Sequence, residues 1–408
     1  MADIVKANGV EWSSVVKVDG ATATDIVKVD GNSAAPPVGH WVAVLEQGNV
    51  AWAANTALSG NANWTEYDNT DSTGHPRAFD IAYGKNASGN GIYVCSRDSS
   101  SRELQVSGED VTATHDWTPI NITGGQDQFS VRWAVSSSAS SQGVWMTAGM
   151  HGGELWRSID GAQTFSQVVA PSLSSENIMA LVSDGAGNWA FGNDNKFYFS
   201  DNDGASFTSS TPWAGGGVPG FHRGTVYTNN SWVVIYSRSS NIYARSCAAS
   251  DITDWGTEFR PTITYNNATA DGSGTPNKTK YPRNPTADNQ RAAAEGVNGV
   301  VCMVMTNDDG VFKFSVSGKT ITNASASHGV GGKWFAGDSS YTGVIRFATA
   351  NSFEDITTDG TGTWVTANRG GDAFMSTDNG VTWEIMVESF EGGSDDWQGI
   401  TAPVIFPL

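Results

Sequence analysis

The sequence is poor in cysteine, in charge and in basic residues, and it contains no long apolar run. Only three of its 408 residues are cysteine: Cys95, Cys247 and Cys302. Each sits in an apolar or strand-like stretch (IYVCS, ARSCA, VVCMV), and no pair forms a C-x-x-C. An odd number of cysteines without metal spacing argues against a disulfide framework and a cysteine-based zinc site, and leaves buried free thiols. The six histidines, at 40, 75, 115, 151, 222 and 328, show no i, i+2 or i, i+4 spacing, so no zinc site and no other cofactor is implied. No run of about 18 apolar residues exists, and the expectation is no membrane insertion. The opening MADIVKANG lacks a basic stretch followed by an apolar one, so a soluble protein without an N-terminal export signal is expected. Charged residues make up 16% of the chain, 42 acidic against 23 basic, for a net charge of −19. Such a surface repels nucleic acid and anionic membranes, and no nucleic-acid partner is expected.

What is abundant is glycine, at 47, and tryptophan, at 16. Apolar residues come in runs of four to seven, bounded by Gly and Asn, which is the pattern of strands between turns. No helical-length window keeps a 3.6-residue apolar period, so the chain reads as all-β. Its length exceeds what one ordinary core fills and suits a radially repeated architecture.

The first 33 residues repeat every eleven. Residues 4–14 are IVKANGVEWSS, 15–25 are VVKVDGATATD and 26–33 are IVKVDGNS, which aligns Lys6, Lys17 and Lys28, then Asn8, Asp19 and Asp30, then Gly9, Gly20 and Gly31. Each unit is a β-branched strand followed by Asn-Gly or Asp-Gly, dipeptides that accept positive φ in type I′ turns. Three units make a small β-meander with too little core to stand alone. The expectation is an attachment module that packs on something else, followed by the stiff linker Ala34-Ala35-Pro36-Pro37, with residues 1–38 as one unit and 39–408 as the other. This repeat resembles the short K-V-[DN]-G repeats of some bacteriophage structural proteins. The resemblance implies that residues 1–38 contact other virion proteins.

Beyond the linker one signature recurs: Gly, any residue, then an aromatic or apolar residue in a strand. It gives Gly39-His40-Trp41, Gly91-Ile92-Tyr93, Gly143-Val144-Trp145, Gly187-Asn188-Trp189, Asn230-Ser231-Trp232, Gly299-Val300-Val301 and Gly362-Thr363-Trp364. The intervals are 52, 52, 44, 43, 69 and 63 residues. Periods of this size with about four strands each are the mark of a β-propeller. The two long intervals hold extra material, the loop 263–290 and the stretch 324–350 with a further Gly332-Lys333-Trp334. Seven blades are expected, with six or eight as alternatives. The last strand-like run, Trp397 to Phe406, has no partner strands after it, while the first blade lacks a strand before Trp41. The C-terminal run therefore completes the first blade and closes the ring, which removes free edges.

Three blades carry a second pattern at a near-constant distance, 13, 11 and 12 residues after Trp145, Trp189 and Trp364. The fullest copy is Ser376-Thr377-Asp378-Asn379-Gly380-Val381-Thr382-Trp383. A second uses Ser200, Asn202, Gly204, Ser206 and Phe207, and a third uses Ser158, Asp160, Thr164 and Phe165 with Gly161 and Ala162 in the middle. Ser and Asp side chains take up turn N–H groups, Gly supplies positive φ, and the aromatic folds back onto the neighbouring strand. Looser traces occur at Ser59–Trp64 and Ser107–Trp117. The pattern resembles the Asp-box (BNR) repeat, S/T-x-D-x-G-x-x-W/F, of sialidase-like propellers. The resemblance implies the propeller fold over about residues 39–408, and not the sialidase reaction, because these boxes lie on outer turns.

A sialidase site needs three arginines, a Tyr–Glu pair and an acid/base Asp. Residues 39–70 contain no arginine, and His75-Pro76-Arg77-Ala78-Phe79 does not match the family's arginine segment. No triad emerges from Arg132, Arg223, Arg238, Arg283 and Arg346, so no catalytic residue is assigned. A glycosidase carboxylate pair has Glu354-Asp355 and Asp395-Asp396 as candidates, both read as solvated turn residues. Asp308-Asp309-Gly310 reads as a hairpin turn.

Binding residues are sought in loops. Loop 211–223 carries Trp213, His222 and Arg223, and loop 263–290 carries Tyr265, Tyr281 and Arg283. Flat rings beside polar groups suit sugar or protein surfaces, while Trp213 and Tyr281 equally suit blade packing. The composition, the repeat and the lack of a signal together point to a bacteriophage virion protein, tail-fibre-like, knob-like or capsid-decorating, with a cell-surface glycan as a further partner and a homo-oligomer as its assembly. The alternative expectation is a carbohydrate-binding or glycan-hydrolysing sialidase-like propeller.

Overall fold

A computed structural model describes the strands and many of the turns between residues 40 and 402, together with residues 17–18, 21–22, 28–29 and 32–33. The longest connecting segments outside the described residues are 68–76, 109–116, 169–177, 213–220, 266–277, 281–291, 330–352 and 388–396. The described residues form no α-helix, and no helix is long and apolar enough to cross a membrane.

Seven antiparallel sheets form the blades of a β-propeller. From the centre outward, blade 2 runs Arg77–Lys85, Gly91–Asp98, Glu103–Val106 and Thr118–Asn121. Blade 3 runs Gln128–Ala134, Val144–Gly149, Leu155–Ser158 and Ser166–Val168. Blade 4 runs Leu181–Ser183, Trp189–Gly192, Phe197–Ser200 and Thr208–Ser210. Blade 5 has three full strands, Phe221–Thr228, Ser231–Arg238 and Asn241–Ala248, and its fourth position is reduced to the bridge of Ala244 with Phe259. Blade 6 runs Ala292–Val297, Val300–Met305, Phe312–Ser317 and Thr320–Asn323. Blade 7 runs Phe353–Thr358, Trp364–Asn368, Ala373–Ser376 and Thr382–Val387, with His328–Gly329 added in parallel outside it.

Blade 1 is built from both ends of the propeller. Its innermost strand is Trp397–Thr401, which pairs antiparallel with His40–Leu45, followed by Val50–Ala54 and Thr65–Tyr67. Consecutive innermost strands pack against one another all the way round, so the ring is closed. All seven signature residues fall on the second strand of a blade, and all are buried: Trp41, Tyr93, Trp145, Trp189, Trp232, Val301 and Trp364. Alternate residues of a strand face opposite neighbours, so each seam between blades receives apolar side chains from both sides. Trp364, for example, packs with Cys302 and Val304 of blade 6, while Val365, one residue on, packs with Trp41 and Trp397 of blade 1.

The three serine turns share one hydrogen-bond set. In each, the Ser hydroxyl donates to the side-chain oxygen two residues on: Ser158 to Asp160 at 2.7 Å, Ser200 to Asn202 at 2.8 Å and Ser376 to Asp378 at 2.8 Å. The same hydroxyl accepts the N–H four residues on, from Ala162 at 3.1 Å, Gly204 at 3.0 Å and Gly380 at 2.9 Å. Each serine pairs across the sheet with its blade's signature tryptophan, Trp145 with Ser158, Trp189 with Ser200 and Trp364 with Ser376. The recurring offset in the sequence is this pairing. Ala162 adopts φ 65° where the other two copies have glycine at φ 72° and 73°. Each turn thus holds one non-glycine residue in the left-handed region, Ala162, Asp203 or Asn379, which costs an L-residue about 1–2 kcal/mol. At the looser traces the bonding differs. Trp64 donates through Nε1 to the Leu58 carbonyl at 2.9 Å, and Ser107 accepts the Tyr93 N–H at 2.8 Å.

The N-terminal repeats depart from the expected meander. Two of them fold back on themselves, Lys17–Val18 onto Ala21–Thr22 and Lys28–Val29 onto Asn32–Ser33. The pairings of Val18 with Ala21 and Val29 with Asn32 leave two residues to turn each, Asp19-Gly20 and Asp30-Gly31. Among the described residues these strands pair with no other strand. Each of these two units thus pairs as a hairpin, and among the described residues neither joins a larger sheet. Part of the loop expected over 263–290 is likewise a hairpin, Ile263–Tyr265 with Lys278–Lys280. Gly332, Lys333 and Trp334 lie outside the described residues, which hold seven blades.

Candidate functional site: the wall of the central channel

The innermost strands each present one unpaired edge to the channel, a row of N–H and C=O groups that needs other partners. Five of these strands carry a β-bulge near their start. The pairing with the second strand skips a residue between Ala78 and Asp80, Gln128 and Ser130, His222 and Gly224, Phe353 and Asp355, and Trp397 and Gly399. A bulge bends the strand and re-aims the residues beside it. The residue after the skip is small or acidic in every case.

In blades 2 and 7 that residue is an aspartate that staples its neighbour. Asp80 Oδ1 accepts the N–H of Ile81 at 2.9 Å, and its Oδ2 reaches blade 3 to accept the Val131 N–H at 3.1 Å. Asp355 repeats the geometry: Oδ1 accepts from Ile356 at 2.9 Å, and Oδ2 crosses to blade 1 to accept from Ile400 at 2.9 Å. Both carboxylates are buried, and the N–H groups they satisfy would otherwise be orphaned edge donors. Gly399 of blade 1 lets Asp80 come close, since a Cβ there would lie 2.9 Å from the Asp80 Cα.

Asp80 also holds Arg132. The guanidinium Nη1 donates to Asp80 Oδ2 at 2.7 Å and to the Val131 carbonyl at 2.8 Å. The Arg132 side chain is 28% exposed while that of Asp80 is 1% exposed, so a buried anion positions a partly open cation. Beside it lies a cavity of about 140 Å³, walled by Ile81, Ala82 and Tyr83 of blade 2, Arg132 and Trp133 of blade 3, Asp355 to Thr358 of blade 7, and Ile400 and Thr401 of blade 1. Burial pushes the Tyr83 phenol above its ordinary pKa, so it stays neutral. The arrangement places a fixed guanidinium edge beside threonines and two aromatic residues, which suits binding of a small polar group.

The residues predicted from the sequence are scattered by comparison. His222 is not in a loop: it lies on the innermost strand of blade 5, 1% exposed, with Nε2 3.0 Å from Thr225 Oγ1. Its ring fills the space over Gly192 of blade 4, where a Cβ would come within 2.2 Å of Nε2. This packing makes it a seam residue. Arg223 is the skipped residue of that strand's bulge, and Tyr265 sits in the short hairpin. Trp213, Tyr281, Arg283 and Arg346 lie outside the described residues, as do Asp395-Asp396 and Asp308-Asp309-Gly310. Asp355 was expected to be a solvated turn residue and is instead a buried staple, because the bulge turns its carboxylate onto backbone donors. Sequence reasoning missed Asp80 altogether and missed the stapling role of Asp355. The signal was present as Asp-Ile at 80–81 and 355–356, matched by Ser130-Val131, Gly224-Thr225 and Gly399-Ile400 at the same place in other blades. The three cysteines are free and buried, and burial pushes the thiols up to about 11 for Cys95 and about 12 for Cys247 and Cys302.

No protein-family model matches the chain, and no curated protein matches it. Among solved structures it is similar to YCF48 bound to D1 peptide, with a TM-score of 0.46 and 12% identity over 80% of this chain and 91% of that one. It is also similar to an ancestral GH74 enzyme, AFV00434, with a TM-score of 0.43 and 14% identity over 86% of this chain and 55% of that one. A third is the β-propeller domain of Myceliophteria thermophila Cps50 (Swd1), with a TM-score of 0.44 and 7% identity over 81% and 90%. The fold stated above rests on this chain's own strand pairing, and the chemistry of the channel is read from its own residues.

Proposed function

We propose that this chain is a bacteriophage virion protein, attached to the particle through residues 1–38 and displaying the propeller as a tail-fibre-like, knob-like or capsid-decorating module. The observation that supports this most is the N-terminal unit. Two eleven-residue repeats each form a separate hairpin with two-residue strands. Isolated two-stranded hairpins are marginal in water, and they gain stability when a partner covers them. A repeated hairpin preceding a closed ring in the chain has the form of a docking element, and its sequence resembles repeats of phage structural proteins.

The test is co-sedimentation with purified particles from the same source, using the full chain and a chain lacking residues 1–36. Stoichiometric retention of the full chain, lost on deletion while the thermal transition of the propeller persists, supports the proposal. Absence from particles, or retention unaffected by the deletion, overturns it.

The channel wall favours a second reading, carbohydrate recognition, because Trp133 and Tyr83 meet Arg132 at the cavity. Binding and hydrolysis across a glycan panel test it, with Arg132→Ala as the control. Equal signals from both proteins would remove the channel from that reading.

A further inference from the structure

Arg97 is buried in the seam between blades 1 and 2. It lies on the second strand of blade 2, opposite Ala78, and is 1% exposed. Its side chain shares a strand face with Tyr93 and Cys95, which pack against Val42 and Val44 of blade 1. Among the described residues none of Nε, Nη1 and Nη2 has a hydrogen-bond partner.

An interior guanidinium differs from every other buried titratable group. Lysine, histidine and the carboxylates escape desolvation by becoming neutral, but arginine does not lose its proton in proteins. A buried charge lacking a counter-charge is strongly destabilising. Among the described side chains the seam around Arg97 supplies none. Ala78, Val42, Val44 and Trp117 carry no charge, the Tyr93 phenol is raised by burial, and the Cys95 thiol is pushed up to about 11 and stays protonated. The nitrogens are also shut off from solvent, so an extended ligand does not reach them.

We propose that Arg97 holds a small inorganic anion of halide size in the seam between blades 1 and 2. Two parallel N–H donors on one edge of the guanidinium suit such an ion. The bound ion completes the seam beside blade 1, the blade assembled from the two ends of the propeller. It thereby makes ring closure responsive to the anion supply.

The test uses the full chain in chloride and in gluconate at equal ionic strength, with Arg97→Met beside the wild type. The unfolding midpoint of the wild type rises saturably with chloride or bromide. At ten times the dissociation constant, the folding equilibrium constant is about elevenfold higher. R97M shows no such halide response. Bromide-soaked crystals of the wild type give an anomalous peak against the Arg97 guanidinium, a readout that stands even where R97M fails to fold. A wild type indifferent to halide, or a response identical in R97M, overturns the proposal. So does an Arg97 already paired internally. The strand register places Glu103 at the next position across from it, and E103Q and R97M that cost the same singly and no more together would assign the counter-charge to that residue.

Discussion

Asp355 ties the last blade to the first: its Oδ2 accepts the Ile400 N–H at 2.9 Å across the seam between blades 7 and 1. Ile400 belongs to the strand Trp397–Thr401, which completes blade 1 beside blade 7. The bond therefore sits where the ring closes. Asp355→Ala leaves two buried N–H groups, of Ile356 and Ile400, without this acceptor, and each such loss costs about 1–3 kcal/mol. We expect D355A to lower the urea midpoint well below that of Asp355→Asn, which keeps one carbonyl acceptor. Equal midpoints for the two variants would show that the staple contributes little.

Gly380 and Cys302 make a second pair that spans a seam. Gly380 has φ 73°, and a Cβ there would lie 2.5 Å from the Cys302 sulfur. Gly380→Ala combines backbone strain of about 1–2 kcal/mol with an overpacking cost of about 1–3 kcal/mol. Removing the sulfur in Cys302→Ala relieves the second part only. A double-mutant cycle should therefore return a coupling above about 0.5 kcal/mol, and strict additivity would contradict the contact.

Tryptophan indoles separate packing from hydrogen bonding. Trp145 and Trp189 are both 0% exposed at the same place in blades 3 and 4. Trp145 donates to the Lys85 carbonyl at 2.8 Å, whereas the Trp189 Nε1 has no partner among the described residues. Substitution by Phe removes similar volume in each, so W145F should cost about 1 kcal/mol more than W189F in equilibrium unfolding.

Asp160 gives a pH signature. Desolvation raises its pKa, but the hydroxyl and N–H of Thr164, the Ser158 hydroxyl and the Gln163 N–H outweigh that and hold the carboxyl below its ordinary range. A folded pKa below the unfolded one contributes stability above the unfolded value, and that contribution is lost as pH falls through the folded one. The stability advantage of wild type over Asp160→Asn should thus be present at neutral pH and be lost as pH falls below the ordinary carboxylate range. The turn of blade 4, with Asn202 in the same role, indicates that the variant folds. An advantage that persists unchanged in acid would refute the hydrogen-bond account.

Much of this architecture was legible locally. The recurring aromatic residue marks the second strand of each blade because that strand is buried on both faces, and burial selects large apolar side chains at a fixed place in the repeat. The offset from Trp364 to Ser376 is the length of one hairpin, so the sequence carries the pairing directly. The Asp-Gly dipeptides at 19–20 and 30–31 predict turns for the same reason, and the flanking residues pair accordingly. Tertiary structure decided the rest. Glu354-Asp355 looks like solvated turn sequence until a bulge turns Asp355 onto a strand 45 positions away in the chain. His222 looks like a loop residue until Gly192 of the preceding blade leaves room for its ring. The bond between Asp80 and Arg132, and the isolation of Arg97, depend on which blades become neighbours. Turn and strand preferences act over a few residues and are written in order along the chain. Partners across a seam are set by ring closure, which brings together residues that no local pattern relates.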